Sequence, residues 1–122
     1  MYQVVENKYV YEVTENKTAI VGNVKKIKID NELTQINTTV NIPINYQTFD
    51  VEQQKYITDS SIYKDIEIYL NGSLSGTETI LNGVGNIEFE SAEAGIFEIR
   101  IENTTCEVIV EWKLKLRNQK RR

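Results

Sequence analysis

Apolar and polar residues alternate with a period of two along most of this chain. Between residues 106 and 116 one face collects every second side chain: Val108, Val110, Trp112, Leu114 and Leu116. Charged residues occupy the other face, and only an extended strand with one buried side separates residues in this way. The pattern predicts a closing β-strand in which Trp112 packs in the core beside Val110 and Leu114.

Glycine-containing turns separate the other strand-like runs. Asn71-Gly72 and Asn82-Gly83 are typical of tight β-hairpins, and Ala94-Gly95 precedes a further alternating run. The run from Leu33 to Tyr46 alternates as well, and Pro43 within it cannot donate to a ladder. We therefore expect an edge or bulged strand at Pro43.

These runs number about eight, at spacings of roughly 8 to 12 residues, which indicates a sandwich or barrel. Two short runs, Tyr2–Val5 and Tyr9–Val13, come first, and Gly22 predicts a bulge or bend in the next strand. Asp50–Gln54 fits either one helical turn or a loop. A chain of 122 residues suits one domain with one core of two packed sheets.

The composition argues against an enzyme. The chain has no histidine, which excludes Ser-His-Asp and Cys-His dyads and imidazole ligands for zinc. Its single cysteine, Cys106, excludes an internal disulfide and is expected to be a small buried or edge residue. Asp59, Asp65 and Glu93 could bind calcium, but no spaced acidic loop accompanies them. We predict no catalytic residue, no cofactor and no metal site.

Residues 65–102 resemble bacterial immunoglobulin-like domains. The resemblance rests on Asn71-Gly72, on the turn Asn82-Gly83-Val84-Gly85, and on Ala94-Gly95-Ile96-Phe97, where the family often has tyrosine in place of Phe97. It implies an all-β, immunoglobulin-like β-sandwich of about seven or eight strands. It implies no catalytic residues, and it implies a role in spacing, binding or decoration.

The expected organisation is an N-terminal β-arm over residues 1–17, a sandwich over 18–117 and a basic tail over 118–122. No run approaches the roughly 18 apolar residues that span a bilayer, and residues 1–6 show no signal-peptide pattern. Such a domain is similar to small immunoglobulin-like virion proteins of tailed bacteriophages. We expect it in the virion or in the cytoplasm of the producing cell.

Charge is divided unevenly along the chain. Residues 1–111 hold 18 acidic and 8 basic residues, whereas the last ten residues hold six basic ones. The acidic body would repel nucleic acid. A basic end on an acidic body predicts that Lys120, Arg121 and Arg122 form a docking arm for nucleic acid or an acidic partner.

Five further residues are candidate partner contacts. Tyr9, Tyr11 and Val13 form an apolar face that a sandwich core does not need, and Tyr56 and Tyr63 flank a polar loop. The leading hypothesis is a non-catalytic assembly protein of a phage particle: a capsid decoration, tail or baseplate component that binds protein subunits, with a homo-oligomer left open. The alternatives are a module that binds carbohydrate or a cell surface, and an inhibitor or adaptor of one host protein.

Overall fold

The computed structural model describes residues 1–112, and these residues form twelve β-strands and no helix. The all-β prediction is confirmed. The strands are more numerous than expected because several runs divide, as residues 18–29 do at Val24. In chain order they are β1 (Tyr2–Val5), β2 (Tyr9–Val13), β3 (Thr18–Asn23), β4 (Lys25–Lys28), β5 (Glu32–Gln35), β6 (Val40–Asp50), β7 (Lys55–Thr58), β8 (Lys64–Leu70), β9 (Ser73–Ile80), β10 (Val84–Phe89), β11 (Gly95–Ile101) and β12 (Thr104–Glu111).

Two sheets pack face to face as a β-sandwich. One has the order β10-β6-β4, with β7 also paired to β6, and the other has the order β5-β12-β11-β8-β9. Their inward residues form one core, in which Ile42, Ile80, Ile101 and Val108 are fully buried. Burying such side chains contributes about 1.5 to 3 kcal/mol each, so this core is the main source of stability.

The second sheet contains both parallel and antiparallel pairs. The pairing of β5 with β12 is parallel, whereas β12 and β11 pair antiparallel.

A third sheet, with the order β1-β2-β3, precedes the sandwich. Its register shifts between Val10, which lies opposite Gly22, and Tyr11, which lies opposite Ile20, and this confirms the predicted bulge. The predicted end of the arm at residue 17 falls inside this sheet, just before β3 begins at Thr18. We call β1, β2 and β3 the N-terminal sheet.

Local turn chemistry explains both Asn-Gly hairpins. Asn71 and Gly72 have φ values of 50° and 88°, and Asn82 and Gly83 have 54° and 82°. Positive φ at both central residues is the type I′ geometry, which asparagine and glycine adopt most easily. The first turn joins β8 to β9 and the second leads into β10.

Strand β6 satisfies the constraint that Pro43 imposes. Pro43 lies opposite Asn86 of β10, whereas the pairing of β6 with β4 begins only at Asn45. Among the strands described, β6 therefore has a partner on one side only at Pro43, as expected for an edge position. After Asp50 the chain turns directly into β7, so residues 51–54 form a loop and not a helix.

The prediction for Trp112 is wrong. Cys106, Val108 and Val110 point inward as predicted, but β12 ends at Glu111 and Trp112 is 69% exposed. The neighbouring strand β11 begins at Gly95, opposite Val110, so its ladder stops before it could flank Trp112. Leu114 and Leu116 lie outside the described residues. Cys106 is buried as expected, and burial raises the pKa of its thiol to about 11.

Because Trp112 is exposed, we expect Trp112→Ala to change the free energy of unfolding by no more than about 0.5 kcal/mol. Val110→Ala, which removes buried methyl groups from the same strand, should cost about 1 to 3 kcal/mol. Urea unfolding measures both values. Iodide should quench the fluorescence of this single tryptophan efficiently, and blue-shifted, poorly quenched emission would contradict the exposed position.

Gly83 and Gly72 provide a matched pair of glycine tests. A Cβ at Gly83 would lie 2.3 Å from the backbone oxygen of Asp59, whereas a Cβ at Gly72 would meet no atom within 4 Å. Both have positive φ, which costs a side chain about 1 to 2 kcal/mol. We expect Gly72→Ala to lose only that amount and Gly83→Ala to lose about 3 kcal/mol or more, as measured by urea unfolding. Equal losses would show that the turn is not packed against Asp59.

Candidate interaction surface

The N-terminal sheet presents an apolar outer face. Tyr9, Tyr11 and Val13 lie half-buried on the same side of β2, as the sequence predicted. Val5 of β1 pairs with Tyr9, and Ile20 of β3 pairs with Tyr11, and these two neighbours are 37% and 56% exposed. Contiguous exposed apolar residues are a common feature of contact surfaces. We call this set the outer face: Val5, Tyr9, Tyr11, Val13 and Ile20.

The inner face of the N-terminal sheet packs on the β6–β7 hairpin. Val10, only 1% exposed, forms a second core with Val24 and Phe49, separate from the sandwich core. Phe49 also makes edge-to-face contacts with Tyr2 and Tyr56, with ring centroids 5.7 and 5.2 Å apart. Aromatic pairs of this kind add about 0.5 to 1.5 kcal/mol each. The sheet is therefore held on the sandwich with its outer face directed away from it.

Two polar side chains of the hairpin fix the position of the N-terminal sheet. The Gln54 side-chain amide accepts a hydrogen bond from the Tyr2 backbone N–H at 2.6 Å and donates one to the Tyr2 carbonyl at 2.9 Å. The Tyr56 hydroxyl donates to the Asn23 carbonyl at 2.5 Å. The amide of Gln54 thus supplies the two bonds that a neighbouring strand would make, and it orients β1 against the hairpin.

The two predicted loop tyrosines have different positions. Tyr63 is 60% exposed, and its hydroxyl donates to the Asn82 side chain. Tyr56 is half-buried and not exposed, contrary to our expectation, because it lies in β7 against Phe49. Burial raises the pKa of the Tyr56 hydroxyl. Tyr56 therefore positions the N-terminal sheet, and Tyr63, directly before β8, contacts the turn that precedes β10 through its hydroxyl.

Cations cover one ring face of four tyrosines. The distances from the cation to the ring centroid are 6.0 Å for Lys8 over Tyr9, 4.1 Å for Lys26 over Tyr56, 4.9 Å for Lys64 over Tyr46 and 4.3 Å for Arg100 over Tyr69. These contacts stabilise the cations in place. They also occupy ring faces on which a sugar would otherwise stack.

Among the acidic residues within positions 1–112, Asp59 is the one that is buried. It accepts hydrogen bonds from Lys25 Nζ at 2.8 Å and from Ser61 Oγ at 2.6 Å. These bonds hold the pKa of its carboxyl at about 2. The same loop docks on the second Asn-Gly turn, because the Gly83 N–H donates to the Ile62 carbonyl at 3.0 Å. Asp59 thus ties β4 to the loop that anchors this turn.

Two adjoining clefts meet at Asn23 and Lys25, and we call them together the lysine groove. The larger cleft, of about 480 Å³, lies between β4 and the β11–β12 turn, and the smaller, of about 310 Å³, extends to Tyr9. The buried Tyr46 hydroxyl borders the larger cleft and meets no hydrogen-bond partner among the described residues. Burial and the nearby Glu102 carboxylate raise its pKa. Four lysines line the groove: Lys8, Lys25, Lys26 and Lys64.

Sequence reasoning did not identify the groove or the role of Gln54. The sequence suggests Asp59 only as a calcium ligand, whereas in the structure its carboxylate forms an ion pair with Lys25. Within residues 1–112 no three His, Cys, Asp or Glu side chains are grouped to hold a metal ion. The signal that could have pointed to the groove is the run Lys25-Lys26-Ile27-Lys28, the densest positive charge before the tail.

Lys120, Arg121 and Arg122, the predicted docking residues of the tail, lie outside the described residues. Over the part of the chain that the structure covers, no helix is long and apolar enough to cross a membrane. The chain matches no protein-family profile, no curated protein and no solved structure. Its fold and surfaces are therefore the basis for the functional argument.

Asp59 should make stability depend on pH in the acid range. Its pKa is lowered from 3.8 to about 2 in the folded protein. A lowered carboxyl pKa contributes stability that is present above the unfolded pKa and is lost as pH falls toward the folded pKa. That contribution is about 2 kcal/mol.

Asp59→Asn should therefore lower stability at about pH 6 and flatten its decline between about pH 4 and pH 2. Urea unfolding at stepped pH values measures this, with Glu52→Gln on the exposed β6–β7 turn as the control. A variant whose decline in that range equals that of the parent chain would show that Asp59 is not tightly paired.

Proposed function

We propose that this protein is a non-catalytic assembly module that attaches to a larger particle through the outer face of its N-terminal sheet. Its immunoglobulin-like character favours the virion of a tailed bacteriophage as this particle. The protein would then be a virion accessory: a capsid decoration, tail or baseplate component. The partners are then the protein subunits of the particle. The proposal also covers a homo-oligomer, in which the partners are further copies of this chain.

The proposal rests on the different roles of the two faces of the N-terminal sheet: the inner face attaches the sheet to the sandwich, and the outer face stays partly exposed. Its inner face, with Val10 at 1% exposure, secures it to Phe49 of the β6–β7 hairpin. Its outer face contributes nothing to either core and leaves Ile20 56% exposed. Surface that is held rigidly yet left apolar suits binding, because little ordering entropy remains to be lost on association.

One edge of the same sheet supports this interpretation. β3 pairs with β2 alone among the described strands and so presents an open strand edge, whereas Gln54 already bonds the outer edge of β1 at Tyr2. An unpaired edge beside an apolar face can add a strand from a neighbouring protein. The main core does not include the N-terminal sheet, so association there need not disturb the sandwich.

Other observations favour assembly over the alternatives. A carbohydrate-binding surface needs several open aromatic faces; cations lie over one face of Tyr9, Tyr46, Tyr56 and Tyr69, which leaves Tyr63 and Trp112 as the most exposed rings described. Catalysis by the four glutamates at positions 88–98 would need a pair facing across a cleft. Glu88, Glu90, Glu93 and Glu98 are all exposed.

The test replaces two residues of the outer face. The double variant Tyr11→Ser/Ile20→Ser removes apolar contact area, and it should reduce the copies of the chain per purified particle at least about tenfold. Leu74→Ser is the control, because Leu74 is 59% exposed on β9, away from the N-terminal sheet. Quantitative mass spectrometry of gradient-purified particles measures the copy number, and circular dichroism checks that each variant is folded.

Two results would contradict the proposal. If the parent chain is absent from purified particles and remains monomeric, the protein is not an assembly module. If the double variant is incorporated as well as the Leu74→Ser control, contact is made elsewhere on the sandwich.

Deletion of residues 1–14 should give a folded sandwich that fails to assemble, since the main core lies outside the N-terminal sheet.

A further inference from the structure

The lysine groove concentrates positive charge on an acidic protein. Residues 1–112 contain eight basic residues, and half of them line this groove: Lys8, Lys25, Lys26 and Lys64. Residues 1–112 also contain all 18 acidic residues of the chain. An anionic ligand would therefore find its favourable site at the groove, where the field of the surrounding carboxylates is locally reversed.

The groove lysines are held in position before any ligand arrives. Asp59 binds Lys25 at 2.8 Å, the Tyr56 ring lies 4.1 Å from Lys26, and Glu102 binds Lys64 at 2.7 Å. Lys25 keeps 67% and Lys64 43% of its side-chain surface exposed despite these contacts. An ammonium group has three donors, so each of these lysines has further donors to offer a ligand.

The carboxylates of the groove offset these lysines only in part. Asp59 retains 10% of its side-chain surface and presents little charge to the open groove, whereas Glu102 retains 40%. The ammonium groups of Lys25 and Lys64 thus face one exposed carboxylate in the larger cleft, and Lys26 lies beside Tyr56 on the other face of β4. The Tyr46 hydroxyl borders this cleft close to the Glu102 carboxylate, and burial together with this carboxylate raises the pKa of the hydroxyl.

The wall of the groove includes an unpaired strand edge. β4 contributes Lys25, Lys26 and Ile27 to the larger cleft, and among the strands of residues 1–112 it pairs with β6 alone. An extended peptide can bind to such an edge through main-chain hydrogen bonds while its side chains occupy the flanking sites. A polysaccharide could use the lysines but not the backbone edge.

We infer that the lysine groove binds an acidic, extended peptide segment of a partner protein, added as a strand along β4. Its carboxylates would bind Lys25 and Lys64 on one face of β4 and Lys26 on the other, and its far end would reach Lys8 and Tyr9 at the N-terminal sheet. The inference rests on the proposed function in taking the partner to be a protein, and it adds the chemistry of that partner's segment.

The test uses the full chain and a fluorescent, end-blocked eight-residue peptide of two Glu-Glu-Val-Val repeats, which places glutamates on both faces of a strand. Fluorescence polarisation at low salt should show saturable binding, and the glutamine-for-glutamate peptide should bind at least about tenfold more weakly. Lys26→Gln and Lys64→Gln should each weaken binding about three- to tenfold. Lys55→Gln, on β7 outside the groove, is the control and should leave affinity unchanged.

Backbone pairing is tested with two peptides N-methylated at alternate residues, one set at odd and one at even positions. Only one set directs its N–H groups to β4, so one peptide should lose binding and the other should retain it. If both methylated peptides bind like the parent, the added strand is wrong. If Lys55→Gln weakens binding as much as Lys64→Gln, or if heparin binds more tightly than the glutamate peptide, the groove does not select an acidic peptide. These measurements use the isolated chain, so they are independent of whether the outer-face variants fail to enter particles.

Discussion

Strand β6 carries both hydrophobic cores of this protein on its two opposite faces. Ile42, Ile44 and Tyr46 point into the sandwich, and Phe49, at odd spacing from them, points to the N-terminal sheet. Side chains alternate strictly along a strand, so a register slip of one residue would exchange the two sets. The ladders with β10, β4 and β7 prevent that slip, because each pairs with a different stretch of the same eleven-residue strand.

This arrangement explains how an added sheet can be rigid without sharing the main core. The N-terminal sheet rests on Phe49 and Tyr56, which face each other across β6 and β7, and Gln54 at the turn of that hairpin binds Tyr2. Val10 is therefore deeply buried because the β6–β7 hairpin extends beyond the sandwich and covers it. The outer face gains its fixed position from contacts made on the opposite side.

The second Asn-Gly turn links this arrangement to the lysine groove. The Gly83 carbonyl accepts a hydrogen bond from the Tyr46 backbone N–H at 2.8 Å, and its N–H donates to the Ile62 carbonyl. The loop held in this way carries Asp59, which in turn binds Lys25 of β4. Structural stability and the placement of positive charge thus depend on the same small network, in which a glycine is required by close backbone approach.

The sequence alone determined which residues share a face of a strand and where the chain turns. Period-two alternation assigned Val108, Val110 and Ile42 to the core, and the Asn-Gly dipeptides marked the turns, because both signals are local. Local signals could not show where a strand loses its neighbour, so Trp112 had the parity of a core residue but lies beyond the paired strands. Nor could they show that Val10, and not the Tyr9 face, would be covered, or that Tyr56 would support the N-terminal sheet. Lys8, Lys25 and Lys64 are far apart in the chain, and only the packing of three sheets brings them to one groove. Contacts between distant segments decide burial at strand ends and surface charge, whereas periodicity and turn geometry are properties of neighbouring residues.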